Sequence, residues 1–235
     1  GRDGYFQDTT QMFHASLFEK ESYDPSRTRS FIRHSNVWPN DPEFVNSVKR
    51  MRDFFFELAL ETLTSVEKYF DIPQGDFTRL VTEGWSIQRT MKYEAANDES
   101  RIGTLSVGEH RDTSMLTLTF AGSQPGLEVK DFHGEWVSID PTNDEVVIGV
   151  GGMLELLTNG NFKNMFHRVK YVEQTVNNAR ISTPFFCWPK PESILTPHPR
   201  IVEKFKQKVR YPTQLTIKHL EQNLMVPFVF DEDRD

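Results

Sequence analysis

The sequence predicts an α+β fold: a long helix leads into a closed antiparallel β-structure of jelly-roll type, and short helices follow it. Three observations carry this expectation. One apolar stripe at spacings of three and four runs from about residue 43 to residue 70. Eight or nine short β-like segments follow from Trp85, with no helical pattern between them. Two further helical patterns close the chain. Its 235 residues, 37% hydrophobic and 26% charged, suit one medium-to-large domain with a sizeable core.

Asp41 is a natural N-cap for the long helix, and Pro42 fits the first helical position, where a missing N–H costs nothing. Phe44, Val48, Met51, Phe55, Leu58, Ala59, Leu63, Val66 and Phe70 form its stripe, while Lys49, Arg50, Arg52, Glu61 and Glu67 are expected mostly on the solvent side. Asp71-Ile72-Pro73-Gln74-Gly75 ends it. Strands are expected near residues 85–93, 105–110, 115–120, 127–131, 136–140, 146–150, 153–157, 166–172 and 180–188. His133-Gly134 and Asn159-Gly160 read as hairpin turns, because Asn and Gly tolerate positive φ. Helices are expected near 199–209 and 213–223. The chain thus divides into a helical portion (1–84), a jelly-roll core (85–190) and C-terminal helices with a tail (191–235), all within a single domain.

Charge and composition narrow the partners. With 27 basic against 34 acidic side chains the net charge is −7, which argues against a nucleic-acid or anionic-membrane surface. The most apolar run, residues 54–60, contains Glu57 and falls far short of the ~20 residues that span a bilayer. Cys187, alone, excludes an internal disulfide and fits a reducing compartment. No leader pattern opens the sequence. The expectation is a cytoplasmic monomer, with neither nucleic acid nor membrane as partner.

The chemistry-bearing pattern begins at His110-Arg111-Asp112. Residues two apart on a strand share a face, so an imidazole and a carboxylate are presented together. His167 lies in a second strand pattern, and two imidazoles with one carboxylate make the facial triad of non-haem Fe(II). The competing reading of the triplet is a surface turn. Arg180 and Ser182 also share a face, so a guanidinium and a hydroxyl can converge on one carboxylate; the alternative is an internal salt bridge. Arg89 and Phe186 are tentative substrate contacts, with an internal ion pair and a core phenylalanine as the alternatives. His14, His34, His133, His198 and His219 have no partner at ligand spacing and receive no role.

These motifs together resemble the Fe(II)/2-oxoglutarate-dependent oxygenases of the isopenicillin N synthase-like family. The likeness runs through Gly108-Glu109-His110-Arg111-Asp112, Pro125-Gly126-Leu127-Glu128-Val129, Gly134-Glu135-Trp136-Val137, Leu157-Thr158-Asn159-Gly160, His167-Arg168-Val169 and Arg180-Ile181-Ser182. It implies that His110, Asp112 and His167 hold iron, that Arg180 and Ser182 clamp the co-substrate 2-oxoglutarate, and that the Tyr93 hydroxyl reaches it. It further implies O2 as oxidant, ascorbate as a candidate reductant, and hydroxylation, desaturation or oxidative cyclisation of a small organic molecule in specialised metabolism. The alternatives are a same-fold Fe(II) oxidase that uses no 2-oxoglutarate, and a non-catalytic ligand-binding barrel. Met91, Arg111 and Gly152 depart from the family's usual asparagine, small residue and aspartate. The family commonly carries more N-terminal sequence, so Gly1 is not expected to be the natural start. Phe13, Phe31, Trp38 and the loop 91–101 are expected to build the entrance.

Overall fold

The computed structural model describes residues 10–17, 36–82, 84–140 and 145–223; Phe31 and His34 lie outside the described residues. In chain order the elements are β1 (Gln11–Ser16), α1 (Pro42–Phe70), α2 (Thr78–Thr82), β2 (Ile87–Tyr93), β3 (Leu105–His110), β4 (Leu116–Thr119), β5 (Leu127–Lys130), β6 (Trp136–Ile139) and β7 (Val147–Val150). There follow α3 (Gly152–Leu157), β8 (His167–Lys170), β9 (Arg180–Ser182), β10 (Phe185–Cys187), β11 (Ile194–Leu195), α4 (Pro199–Lys204), β12 (Gln214–Leu215) and α5 (Thr216–Asn223). A major sheet runs β1-β2-β10-β4-β7, with β9 also pairing β2, and a second sheet runs β3-β8-β5-β6. Every ladder in both is antiparallel, as a jelly-roll core requires.

Helix α1 begins and ends as its sequence dictates. The Asp41 carboxylate accepts the Phe44 N–H at 3.1 Å, and Asp71 closes the helix in the left-handed region at φ 56°. Its apolar stripe, with Phe55, Ala59, Leu63 and Phe70 fully buried, lies on the major sheet. Phe55 packs against Phe120 and Phe185, with ring centroids 5.2 and 6.3 Å apart. Strand alternation explains the layering. Phe185, Leu118, Leu116 and Cys187 face α1 and form the main core, whereas Phe186 and Thr117 point the opposite way, into the barrel. Cys187 packs as a small hydrophobe whose burial pushes its thiol up to about 12.

Several expectations are corrected. Arg52 and Glu67 are buried rather than solvent-facing. Residues 153–157 form the helix α3, not a strand, because the loop after β3 receives its first free N–H groups: Gly152 N donates to Asp112 O at 2.8 Å and Met153 N to Ser114 O at 3.1 Å. Asn159 and Gly160 do take positive φ, but they end α3, with Gly160 N on Glu155 O, instead of closing a hairpin. The segment 180–188 divides into β9 and β10 at Thr183-Pro184, since proline has no N–H for a ladder. The helix expected over 199–209 ends at Lys204, and that over 213–223 starts at Thr216 because residues 214–215 pair with β11. Strand β1, absent from the sequence reading, pairs with residues 87–92 of β2. Phe13 and Trp38 pack with each other, and Phe13 packs on Phe44 of α1, so Phe13 serves the helix side of the sheet instead of an entrance. Among the described residues no helix is long and apolar enough to cross a membrane.

Candidate metal centre

Backbone pairing brings the two histidines together. His110 ends β3 and His167 begins β8; they are register partners, with ring centroids 4.1 Å apart. Between Val107 and His110 the register slips by one residue, a bulge of the kind that re-aims a side chain next to a site. Asp112 follows on the loop. Its carboxylate oxygens lie 3.9 Å from His110 Nε2 and 3.8 Å from His167 Nε2, and one donor atom from each of the three lies within 4.8 Å of the others. The loop is fixed through the Asp112 carbonyl, which accepts from Gly152 N and from Asn164 Nδ2, both at 2.8 Å.

The donors are held in metal-binding form. His110 Nδ1 lies 2.8 Å from Gly108 O, so this nitrogen carries the proton and Nε2 keeps its lone pair toward Asp112. Burial, the largest effect, lowers the pKa of His167 and keeps it neutral; His110 acts in the same sense, while the Asp112 charge and a hydrogen bond with the Met165 backbone oppose them. Two imidazole nitrogens and one carboxylate oxygen, with no thiolate, suit Fe(II) and leave coordination positions open to ligands. Arg111 turns away and lies over the Phe166 ring at 4.0 Å.

Across the barrel, β9 pairs with β2 so that Arg180 sits opposite Tyr93 and Ser182 opposite Met91. Arg180 is 3% exposed. Its Nε donates to Gln124 O at 3.1 Å and its Nη2 to Ala121 O, but Nη1 is buried without a partner. No acidic side chain pairs with it among the described residues, so the salt-bridge alternative fails and a buried cation is left in need of an anion. The Ser182 hydroxyl, on the same strand face, is also buried. Arg180 needs a glycine behind it: Gly122 has φ +111°, and a Cβ there would sit 2.6 Å from Arg180 Cζ. The arrangement can therefore seat a metal on two strand-borne imidazoles and a loop carboxylate beside one sheet and take a carboxylate at the other. Tyr93 is buried under the Arg180 guanidinium, 5.3 Å from its ring, and its hydroxyl donates to Met91 Sδ at 3.5 Å.

Arg89 and Phe186 share the barrel-facing side, with the Arg89 Cζ 4.8 Å from the Phe186 ring centroid. Arg89 has no ion-pair partner among the described residues, contrary to the internal-pair alternative; its Nε donates to His14 Nε2 at 2.9 Å. His14 thus gains a partner that sequence spacing did not show, because β1 and β2 are 75 residues apart at this contact. Gly122 and Asn164 were likewise missed, a turn glycine and a loop asparagine carrying no local signal of their role.

Comparison with known proteins agrees with this geometry. The profile of the 2OG-Fe(II) oxygenase superfamily matches residues 68–189. A feruloyl CoA ortho-hydroxylase of Ipomoea batatas is 38% identical over 150 residues, covering 63% of this chain and 40% of that protein. Gibberellin 2-beta-dioxygenase 4 of Arabidopsis thaliana is 28% identical over 205 residues, covering 81% and 63%. The chain thus spans about 40% of the length of the first of these relatives. Among solved structures, a full-length Neurospora crassa protein in complex with alpha-KG superposes with a TM-score of 0.78 at 25% identity, covering 95% of this chain and 68% of that one. With just over half of its length matched by the family profile, the chain belongs to the 2OG-Fe(II) oxygenase superfamily.

Proposed function

We propose that the chain is the oxygenase domain of an Fe(II)- and 2-oxoglutarate-dependent enzyme that oxidises a small organic molecule in specialised metabolism. The convergence of His110, Asp112 and His167 carries this reading. The orphaned Nη1 of Arg180 and the named activities of the feruloyl CoA and gibberellin relatives support it. Helix α1, packed on the major sheet, supports treating the described residues as one domain. The lone, buried Cys187 supports a reducing, cytoplasmic setting.

Bound Fe(II) supplies the oxidising chemistry, coupling the reaction of O2 and 2-oxoglutarate, which yields succinate and CO2, to oxidation of a substrate C–H bond. The residues supply position. His110, Asp112 and His167 would hold the ion through two imidazole nitrogens and one carboxylate oxygen, a donor set that fits Fe(II). Arg180 and Ser182 bind the distal carboxylate of 2-oxoglutarate, charge against charge in a dry pocket where the interaction is strong. Tyr93 packs beneath the guanidinium and holds its plane, with its hydroxyl on the same side of the sheet. Phe186 offers an apolar wall for substrate.

Release of labelled CO2 from 1-labelled 2-oxoglutarate, dependent on Fe(II), tests the reading. His167→Ala is expected to abolish it, and full turnover in that variant would contradict the assignment. A native enzyme that oxidises substrate without consuming 2-oxoglutarate would favour the same-fold oxidase instead.

A further inference from the structure

We infer that the organic substrate carries a carboxylate or equivalent anionic group, and that Arg89, fixed by His14 and Phe186, is the residue that receives it. The inference rests on the oxygenase reading and adds the substrate's chemical class.

Three observations support it. First, Arg89 is a half-buried cation on the barrel-facing side of β2, on the same strand face as Met91 and Tyr93, whose register partners are Ser182 and Arg180. Second, no carboxylate lies within ion-pair distance of it among the described residues. Burial lowers its pKa, and the only groups that act to raise it are Asp112 and Tyr93, so the guanidinium lies in the field of the candidate metal ligand. Third, its orientation is determined. His14 Nε2 accepts the Nε–H at 2.9 Å, and the Phe186 ring lies 4.8 Å from Cζ. Burial and the Arg89 charge push His14 down to about 4, so at neutral pH the imidazole is uncharged and acts as an acceptor. One edge of the guanidinium is thereby occupied, and the terminal nitrogens make no hydrogen bond among the described residues. A planar fork held this way matches a carboxylate in bidentate geometry.

Charge balance leads to the same class. In the loaded site the two positive charges of Fe(II) and that of Arg180 are matched by Asp112 and the two carboxylates of 2-oxoglutarate. The Arg89 charge is left over. A neutral substrate would leave this half-buried charge uncompensated, whereas an anionic one neutralises it. Phe186, stacked 5.9 Å from Trp188, gives the apolar part of such a molecule a surface next to the cation.

The test uses enzyme loaded anaerobically with Fe(II) and 2-oxoglutarate. Three acids, 3-phenylpropanoate, cyclohexanecarboxylate and octanoate, are titrated against their primary amides, with calorimetry as readout. At least one acid is expected to bind about tenfold or more tightly than its amide. Arg89→Gln should erase that preference and Arg89→Lys should restore part of it, with circular dichroism showing that both variants fold. His14→Ala, which removes the brace and keeps the charge, should weaken the preference without erasing it. Amides that bind as well as acids, no acid binding below millimolar concentration, or an unchanged preference in Arg89→Gln would each overturn the inference. Loss of the Fe(II)–2-oxoglutarate charge-transfer absorption in the wild type would overturn the oxygenase reading itself; a normal band with no acid preference overturns the substrate class alone.

Discussion

At the scale of single residues, a site is decided by what the neighbours leave unpaired. Arg180 is buried with one nitrogen unsatisfied because the carbonyls of Ala121 and Gln124 take the other donors. The turn that supplies those carbonyls passes through Gly122 at φ +111°, directly against the guanidinium. Gly122→Ala meets two obstacles: a backbone conformation that costs a side-chain-bearing residue roughly 1–3 kcal/mol, and a Cβ contact that only a shift of Arg180 relieves. We expect the variant to fold with a lower melting temperature and to bind 2-oxoglutarate at least about tenfold more weakly, measured by anaerobic titration of the charge-transfer band. Unchanged affinity would mean that Arg180 does not form the clamp. His110, Asp112 and His167, whose donor atoms converge, could be proposed from the sequence through the family likeness, as could Arg180 and Ser182, which are also spaced for one strand face; Asp112 itself lies on the loop after β3. His14 could not be proposed, because its partner is distant in the chain and a lone histidine has no spacing to read.

Elements fold as their sequence directs where a local signal is strong. Asp41-Pro42 starts α1 and Asp71 ends it, as read. Residues 153–157 misled because a five-residue stretch with four apolar side chains is too short to separate a period of two from one of 3.6; the helix is decided by acceptors on the loop at 112–114. The periodicity of α1 also gave no warning of Glu67. This carboxylate is buried near the end of the helix and accepts from Gly75 N, Phe77 N and Thr78 N at 3.1, 2.7 and 2.8 Å, tying α1 to the start of α2. Glu67→Ala strands three backbone donors in a tight space. At about 1–3 kcal/mol for each buried donor left unsatisfied, with relaxation recovering part, a loss of about 2–4 kcal/mol is expected in urea unfolding. Glu67→Gln, which retains an acceptor and the volume, should lose less; equal losses would show that the carboxylate's charge, not merely an acceptor, matters there.

At the scale of the whole molecule, the candidate metal donors and the proposed carboxylate clamp lie on different sheets, and both stability and ligand binding should reveal whether they act together. Within the second sheet, Glu128 is buried between Arg168 and Lys170 of β8. Burial pulls its pKa upward, but hydrogen bonds from Lys170 and Arg168 outweigh it, and the net shift is below the ordinary 4.5. A folded-state pKa below the unfolded one means that the unfolded chain takes up the proton first as pH falls. The stabilisation is therefore complete above about pH 5 and lost as pH drops through the folded value, with a slope of at most about 1.4 kcal/mol per pH unit. Glu128→Gln should be less stable at pH 7 and should lack this acid-side fall; equal pH dependence would remove Glu128 from the account.

The ligands test the join between the sheets. The metal seat belongs to β3, β8 and the loop at Asp112, all on the side of the second sheet, whereas Arg180 and Ser182 belong to β9, which hydrogen-bonds to β2 of the major sheet. Metal alone should stabilise by linking the histidines across the β3–β8 ladder, and 2-oxoglutarate should add stabilisation by spanning the barrel to Arg180. A ligand at one hundred times its dissociation constant adds about 2.7 kcal/mol, which thermal melts resolve readily. Mn(II), redox-stable in air, is the convenient ion. Three outcomes are expected from melts with Mn(II) and with Mn(II) plus 2-oxoglutarate. The wild type rises in two increments; Arg180→Ala keeps the first and loses the second; His167→Ala loses both, since 2-oxoglutarate then has no metal to chelate. The order matters, because a clamp acting independently of the metal would let 2-oxoglutarate stabilise His167→Ala, and that result would separate the two halves that the fold brings together.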